Sequence, residues 1–305
     1  MVLSRRAKAR SSKLPSGWAE REGAEDERLD LQARAWSEPT GDLLAAIGLR
    51  AGASVIDLGC GPRGILDLAS RLVGPTGRVV GVDAVPRRVL TAKLNAIAEG
   101  WPAVEVVLGD ATATGFPDAT FDLVHARFLA QQCDPARLVA EMIRLARPGG
   151  VIALQELGRS PWEVEPEPAG WPELAAVVHG MFVSQPGADG ESMAARLAAT
   201  NLERVRARDV RLRIPGGHEY AGTLQFAFAS ARASLLRSGR RTGAELADSA
   251  RTLSRVVADP NRRHWSFSVV QTFGRKGPTV AGGSAGEGAP GTGGPRESGR
   301  RGTRV

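Results

Sequence analysis

The chain has 305 residues, 42% hydrophobic and 24% charged, which is enough apolar mass for a sizeable core and the balance of a soluble globular protein. Its net charge of +7 sits at the ends: residues 1–14 carry +5 and residues 275–305 carry +4, which leaves −2 between them and argues against a basic nucleic-acid face on the folded part. No run approaches the roughly 18 apolar residues of a membrane span, no apolar segment follows the basic start as a secretory signal requires, and two cysteines, Cys60 and Cys133, make no disulfide framework, so the reducing cytoplasm is the expected compartment.

Residues 1–16 lack apolar periodicity and read as a disordered basic tail; 277–305, rich in Gly, Ser, Pro and Arg, read as a flexible Gly-rich tail. One domain is expected over 17–276. A helical pattern at 43–47 precedes a first strand at 54–58, which ends in Asp57-Leu58 and breaks into Gly59, Gly61 and Gly64. That is a strand, a tight glycine turn and a helix (65–73); the glycines admit backbone angles closed to other residues and let a ligand lie on bare main chain. A second strand (78–82), a helix (86–98), a third strand (104–108) and a fourth (123–125, introduced by Phe121-Asp122) follow. A helix at 136–146 stops at Pro148-Gly149-Gly150 before a fifth strand at 151–155. Such alternation implies a parallel sheet with helices on both faces and a ligand site beyond the carboxyl ends of its strands. From 158 the pattern changes: a loop at 161–172 holding Trp162, Glu163, Glu165 and Trp171, helices at 173–183, 192–200, 220–237 and 244–257, and strands at 208–214 and 266–273. This half is expected to complete the sheet edge and cover the site.

Three carboxylates fall at equivalent places: Asp57 ending strand one, Asp83 ending strand two and Asp110 just after strand three. A carboxylate at the end of strand two suits a ribose diol, and Asp83 lies 24 residues after Gly59, near the spacing of dinucleotide sites. Asp110 has no part in that dinucleotide pattern and suits the amino group of an adenine. Each has a plainer reading: Asp57 tying down the turn through backbone N–H groups, Asp83 as a loop acid, Asp110 as a turn residue.

Asp57-Leu58-Gly59-Cys60-Gly61, Gly81-Val82-Asp83, Gly109-Asp110-Ala111, Phe121-Asp122-Leu123-Val124 and Arg147-Pro148-Gly149-Gly150 follow in order. Together they resemble the class I S-adenosylmethionine-dependent methyltransferases over about residues 25–157. Glu27-Arg28-Leu29-Asp30-Leu31-Gln32, Thr40 and Leu154-Gln155-Glu156 resemble the bacterial small-molecule members. The resemblance implies a Rossmann-like seven-stranded, mostly parallel α/β sheet with the last strand antiparallel. It divides the domain into a cofactor-binding half (25–157), an acceptor-binding cover (158–262) and a last strand (263–274). It implies S-adenosylmethionine as cofactor, with Gly59 and Gly61 beside its methionine part, Asp83 on the ribose hydroxyls, and Asp110 with the Ala111 backbone on the adenine. Arg127, and Gln32 from the N-terminal helix, are implied at the methionine end. Arg63 stands where many members have glycine or threonine; it either reshapes the loop or points into solvent.

Methyl transfer needs an acceptor aligned with the S–CH3 bond and water excluded. A hydroxyl acceptor gains from a general base, and His125, ending strand four, is the candidate; its alternative is a structural role. His179, His218 and His264 are further histidines outside that half, and no Cys/His cluster has metal spacing, so no metal is expected. The Trp162–Trp171 loop is either the lip of an acceptor pocket or cover for the core; Phe226 and Phe228 read as packing, Cys60 as a small turn residue. The expected reaction is methylation of a small organic acceptor at oxygen. The alternatives are a nucleic-acid methyltransferase, disfavoured because Val124-His125-Ala126-Arg127-Phe128 replaces the Asn/Asp-Pro-Pro-Tyr of base-nitrogen enzymes, a non-catalytic partner subunit, and an NAD-dependent dehydrogenase, which would leave Asp57 and Asp110 unexplained. Nucleic acid is expected to meet only the tails, and weakly.

Overall fold

Val55, Ile56, Leu58, Val79, Val80, Val82, Val124 and Ile152 are all fully buried, as strands covered by helices on both faces must be. The computed structural model describes residues 22–278 apart from 238 and 240, so both expected tails fall almost wholly outside the described residues. The chain runs α1 (Glu22–Ala35), α2 (Ser37–Ala46), β1 (Ser54–Leu58), α3 (Leu66–Val73), β2 (Arg78–Asp83), α4 (Pro86–Ala98), β3 (Val104–Leu108), β4 (Phe121–Arg127), α5 (Pro135–Leu145) and β5 (Ala146–Leu157). It continues through β6 (Glu163–Glu165), α6 (Trp171–Phe182), α7 (Gly190–Ala198), β7 (Leu202–Val210), β8 (Arg213–Pro215), α8 (Thr223–Arg237), α9 (Gly243–Ala258), β9 (Arg263–Trp265) and β10 (Val269–Lys276).

Seven strands pair in the order β3-β2-β1-β4-β5-β10-β7. The first five are parallel, and β10 runs antiparallel to both β5 and β7. This is the expected sheet. Strand order reverses between β1 and β4, and the glycine turn leaves β1 at that point. α5 starts where the sequence dictates: Asp134 accepts from the N–H groups of Ala136 and Arg137, with Pro135 in the first turn. The helix then ends at Leu145 and the chain passes directly into β5. Phe121 faces Ala146 whereas Leu123 already faces Val151, so residues 147–150 bulge out of register.

The second half departs from expectation in detail. The expected strand at 208–214 is two strands in two sheets, β7 and β8. Part of the expected loop at 161–172 is β6, which pairs with β9, itself paired with β8. The last strand begins at Val269 rather than 266. These elements enclose their own core of Trp162, Trp171, Tyr220, Phe228 and Phe267, and Trp36 at the start of α2 packs into it. Trp162 and Trp171 are buried, so they fill the cover rather than rim a pocket. The indole of Trp171 donates to the Trp162 carbonyl (3.0 Å) and that of Trp162 to His264 Nδ1 (3.2 Å).

Candidate active site

The glycine turn is built against Asp57. Its Oδ2 accepts from the Ile65 N–H (2.9 Å), and a Cβ on Gly64 would stand 2.0 Å from that oxygen. Gly59, Gly61 and Gly64 have φ of +68°, +57° and +53°, so conformation and space both demand glycine at 64. The N–H groups of Gly59 and Cys60 donate to the Val82 carbonyl (2.7 and 3.0 Å). Asp83, buried at the end of β2, accepts from Gly61 N–H on Oδ2 and from Val85 N–H on Oδ1, both at 2.9 Å. Each oxygen keeps a lone pair. Asp110 is exposed and accepts the Thr112 N–H (2.7 Å) and hydroxyl (2.8 Å) on Oδ1; Ala111 beside it is buried.

Arg127 leaves β4 toward the turn. One Nη donates to the Gly64 carbonyl (2.9 Å) and the other to Thr40 Oγ1 (3.1 Å). It forms no ion pair with a carboxylate among the described residues, and burial pulls its pKa down, against the pull of Asp57. A guanidinium carries five N–H donors, so this one has capacity left for an anion.

His125 is not placed to act as a base. Its side chain is 0% exposed; Nδ1 bonds Asp57 Oδ1 at 2.7 Å and Nε2 bonds the Gln155 amide nitrogen at 2.8 Å. Both ring nitrogens are spent inside the sheet, so the structural alternative describes it. Gln32 Oε1 accepts from Arg28 (3.2 Å), and Leu29 of the same helix stands 3.8 Å from the position of a Gly61 Cβ. His179 bonds the Gly158 carbonyl (2.8 Å), and His218 Nδ1 accepts the Tyr220 N–H (3.1 Å).

Arg63 does not point into solvent. At 2% exposure it donates to Asp30 of α1 (2.5 Å) and to both carboxylate oxygens of Glu99 just past α4, over the Trp101 ring. The guanidinium holds Glu99 down at about 2. Arg34 also reaches Asp30 and Glu99, and Asp26 pairs with Arg87 at 3.1 Å. These ion pairs strap α1 over the turn.

Three groups have roles that the sequence did not disclose. Glu156 ends β5 with Oε1 accepting from the N–H groups of Leu129 and Ala130 (2.9 Å each) and Oε2 without a partner. Burial pushes its pKa up to about 8, against those two N–H donors. It anchors the loop after β4, in which Phe128 takes φ +55°, a conformation an aromatic residue adopts only under constraint. The Leu129 side chain packs on Gly59. Trp36 and Tyr220 bring the cover to this loop: the indole donates to the phenol oxygen at 2.8 Å, and the Trp36 ring meets Phe128 edge-on. Glu156 stands in the Leu154-Gln155-Glu156 segment that carried the resemblance, without a role of its own there, and Trp36 sits in an otherwise ordinary context. Tyr220, the chain's one tyrosine, carried a compositional signal.

A seven-stranded sheet in this order, with an acidic residue at each of the first three strand ends and a glycine turn at the reversal, defines a Rossmann-like methyltransferase fold. Residues 56–154 match the family model described as a methyltransferase domain. The chain is 31% identical over 199 residues to the nocamycin O-methyltransferase of Saccharothrix syringae, covering 59% of this chain and 70% of that one. It is 39% identical over 115 residues to the trans-aconitate 2-methyltransferase of an Azoarcus species, covering 37% of this chain and 43% of that one. It spans 33% of an uncharacterized Streptomyces fradiae transposon protein, 39% identical over 115 residues and covering 37% of this chain; the chain thus spans less than half the length of two of these three relatives. The YcgJ protein of Bacillus subtilis shares the fold, with a TM-score of 0.51 at 19% identity over 78% of this chain and 97% of that one. The chain belongs to the class I S-adenosylmethionine-dependent methyltransferases. No helix among the described residues is long and apolar enough to cross a membrane.

Proposed function

We propose that this protein transfers the methyl group of S-adenosylmethionine to an oxygen of a small organic acid or enol. One observation carries the site assignment: Arg127 lies on the glycine turn with no carboxylate of its own. An amino-acid carboxylate fits it, as the exposed Asp110 fits the amino group of an adenine. Arg127, Gly59 and Gly61 hold the methionine part, Asp83 the ribose through its remaining lone pairs, and Asp110 with Ala111 the adenine; Asp57 shapes the turn. The cofactor supplies a methyl group on a positive sulfur, already activated for displacement. What remains for the chain is to align the acceptor and exclude water, which can be worth roughly 7–11 kcal/mol of barrier. The cover, with Trp36 and Tyr220 at its inner edge, does that.

An acceptor that arrives as an oxygen anion needs no base. Two facts favour it. His125 is committed to Asp57 and Gln155, and burial pushes the Tyr220 phenol up, away from the anionic form a base requires. Two relatives are named an O-methyltransferase and a methyltransferase of trans-aconitate, a carboxylic acid. The proposed unit is residues 17–276, in the cytoplasm.

Calorimetric titration with S-adenosylmethionine and with NAD tests the cofactor; binding of NAD alone would sink the proposal. Incubation with isotope-labelled cofactor and a metabolite extract, followed by mass spectrometry, reads the acceptor atom. Labelled methyl esters or ethers are expected; label on nitrogen or carbon would overturn the oxygen assignment.

A further inference from the structure

Five polar side chains link up across the large sheet, Asp57 (β1), His125 (β4), Gln155 (β5), Gln271 (β10) and Arg208 (β7), in a line that steps two residues between β4 and β5, where His125 faces Ala153. Asp57 pairs with His125 in the register, Gln155 with Gln271, and Gln271 with Arg208. All but Arg208 are buried. The hydrogen bonds run without a gap. Arg208 Nε donates to Gln271 Oε1 (2.7 Å), Gln271 Nε2 to Gln155 Oε1 (2.7 Å), Gln155 Nε2 to His125 Nε2 (2.8 Å), and His125 Nδ1 to Asp57 Oδ1 (2.7 Å).

The direction of this chain is fixed at both ends. A guanidinium only donates and a carboxylate only accepts, so each amide between them has one satisfactory orientation. His125 Nε2 must then accept, and its proton sits on Nδ1, aimed at Asp57. Gln155 is also the junction for Arg127: Thr40 Oγ1 takes the Arg127 bond and donates its own proton to Gln155 Oε1 (3.3 Å). The two groups that face the glycine turn from below, Asp57 and Arg127, therefore hang from one buried amide.

We propose that Gln155, Gln271 and Arg208 are positioning residues for the cofactor loop, acting through His125, whose tautomer their one-way chain of donors sets. This rests on the reading of the glycine turn and Arg127 as the cofactor site. Reversing the chain at one link must move the His125 proton. In Gln271→Glu, the new carboxylate accepts from Arg208 and can only accept from Gln155. The Gln155 amide turns over, presents its oxygen to His125, and demands a proton on Nε2. Gln155→Glu makes the same demand one link nearer.

The test is a two-bond proton–nitrogen correlation spectrum of the cofactor-free protein with labelled histidine, the His125 signals being assigned by their loss in His125→Gln. Wild type is expected to show Nδ1 protonated and Nε2 bare; either glutamate variant is expected to show a proton on Nε2. Calorimetry on the same samples should give S-adenosylmethionine binding weakened by roughly tenfold or more, the scale of one misdirected buried hydrogen bond. A protonated Nε2 in wild type, or a glutamate variant that folds and keeps the wild-type tautomer and affinity, overturns the proposal. Should both variants fail to fold, the wild-type spectrum still decides the direction of the chain. Since the tautomer is read without cofactor, a wild-type protein that shows it but binds no S-adenosylmethionine would defeat the cofactor reading and leave the relay standing.

Discussion

Part-buried Arg127 and buried Glu156 both lie at the carboxyl ends of central strands with hydrogen-bonding capacity that the fold leaves unmet. For Arg127, replacement by Gln keeps a donor for Thr40 or Gly64 and removes the charge. Cofactor affinity by calorimetry should fall roughly 10–100-fold, the worth of a charge-assisted pair, with little change in melting temperature. Equal affinity would place the methionine carboxylate elsewhere. For Glu156 the sign of the pH effect follows from a folded value raised to about 8 over an ordinary 4.5. The folded state holds this proton more tightly than the unfolded chain, so the stability it contributes is full below about 4.5 and is lost as pH rises through about 8. Glu156→Gln should flatten that alkaline decline in denaturant titrations across pH 5–9. At the turn, Gly64→Ala would drive a methyl into Asp57 at positive φ and should cost at least ~3 kcal/mol. The sequence shows why Asp57 and His125 are partners only in hindsight: each is a polar interruption of an apolar strand, and so are Gln155 and Gln271. Which interruptions meet depends on strand order and register, which no local pattern carries.

Among the elements, α1 is the one held mainly by charge. Its clamp is Arg63 between Asp30 and Glu99, with Asp26 reaching the start of α4. Arg63→Ala should leave the sheet intact and free α1, costing about 1–3 kcal/mol because the abandoned carboxylates can take up water. Hydrogen exchange should quicken across Glu22–Ala35 and not in β1 or β4; uniform quickening would mean that Arg63 supports the core instead. Glu99 is held down at about 2, so the clamp's contribution is present above about 4.5 and is lost as pH falls through about 2. The helices and the first five strands were legible because period and breakers agree there. The cover was not. β6, β8 and β9 are three residues each, too short for alternation to register, and the division of 208–214 between two sheets comes from Arg211 donating to the Ser266 carbonyl (2.9 Å) while the backbone of Leu212 donates to the Ser266 hydroxyl (2.9 Å). Arg63 was misjudged for a similar reason: its partners lie 33 residues before it and 36 after it.

At the scale of the whole molecule, a sheet whose first five strands follow one another in the chain is completed by β7 and β10, and the cover is inserted between β5, β7 and β10. A protein limited to residues 17–276 is expected to bind S-adenosylmethionine with the affinity of the full chain and to show no salt-dependent RNA binding. Loss of cofactor binding, or RNA retention without the tails, would show that the flanks take part. β10 carries a further consequence. It is the last strand among the described residues, yet it lies inside the sheet, with β5 on one side and β7 on the other. During synthesis β7 therefore leaves the ribosome with no neighbour to pair with, and β5 keeps an open apolar edge, until Val269–Lys276 emerges. The cover inserted between β7 and β10 lengthens that wait. Assembly of the sheet is set to be late, and the nascent chain is most exposed to aggregation or chaperone capture in the interval between the two strands.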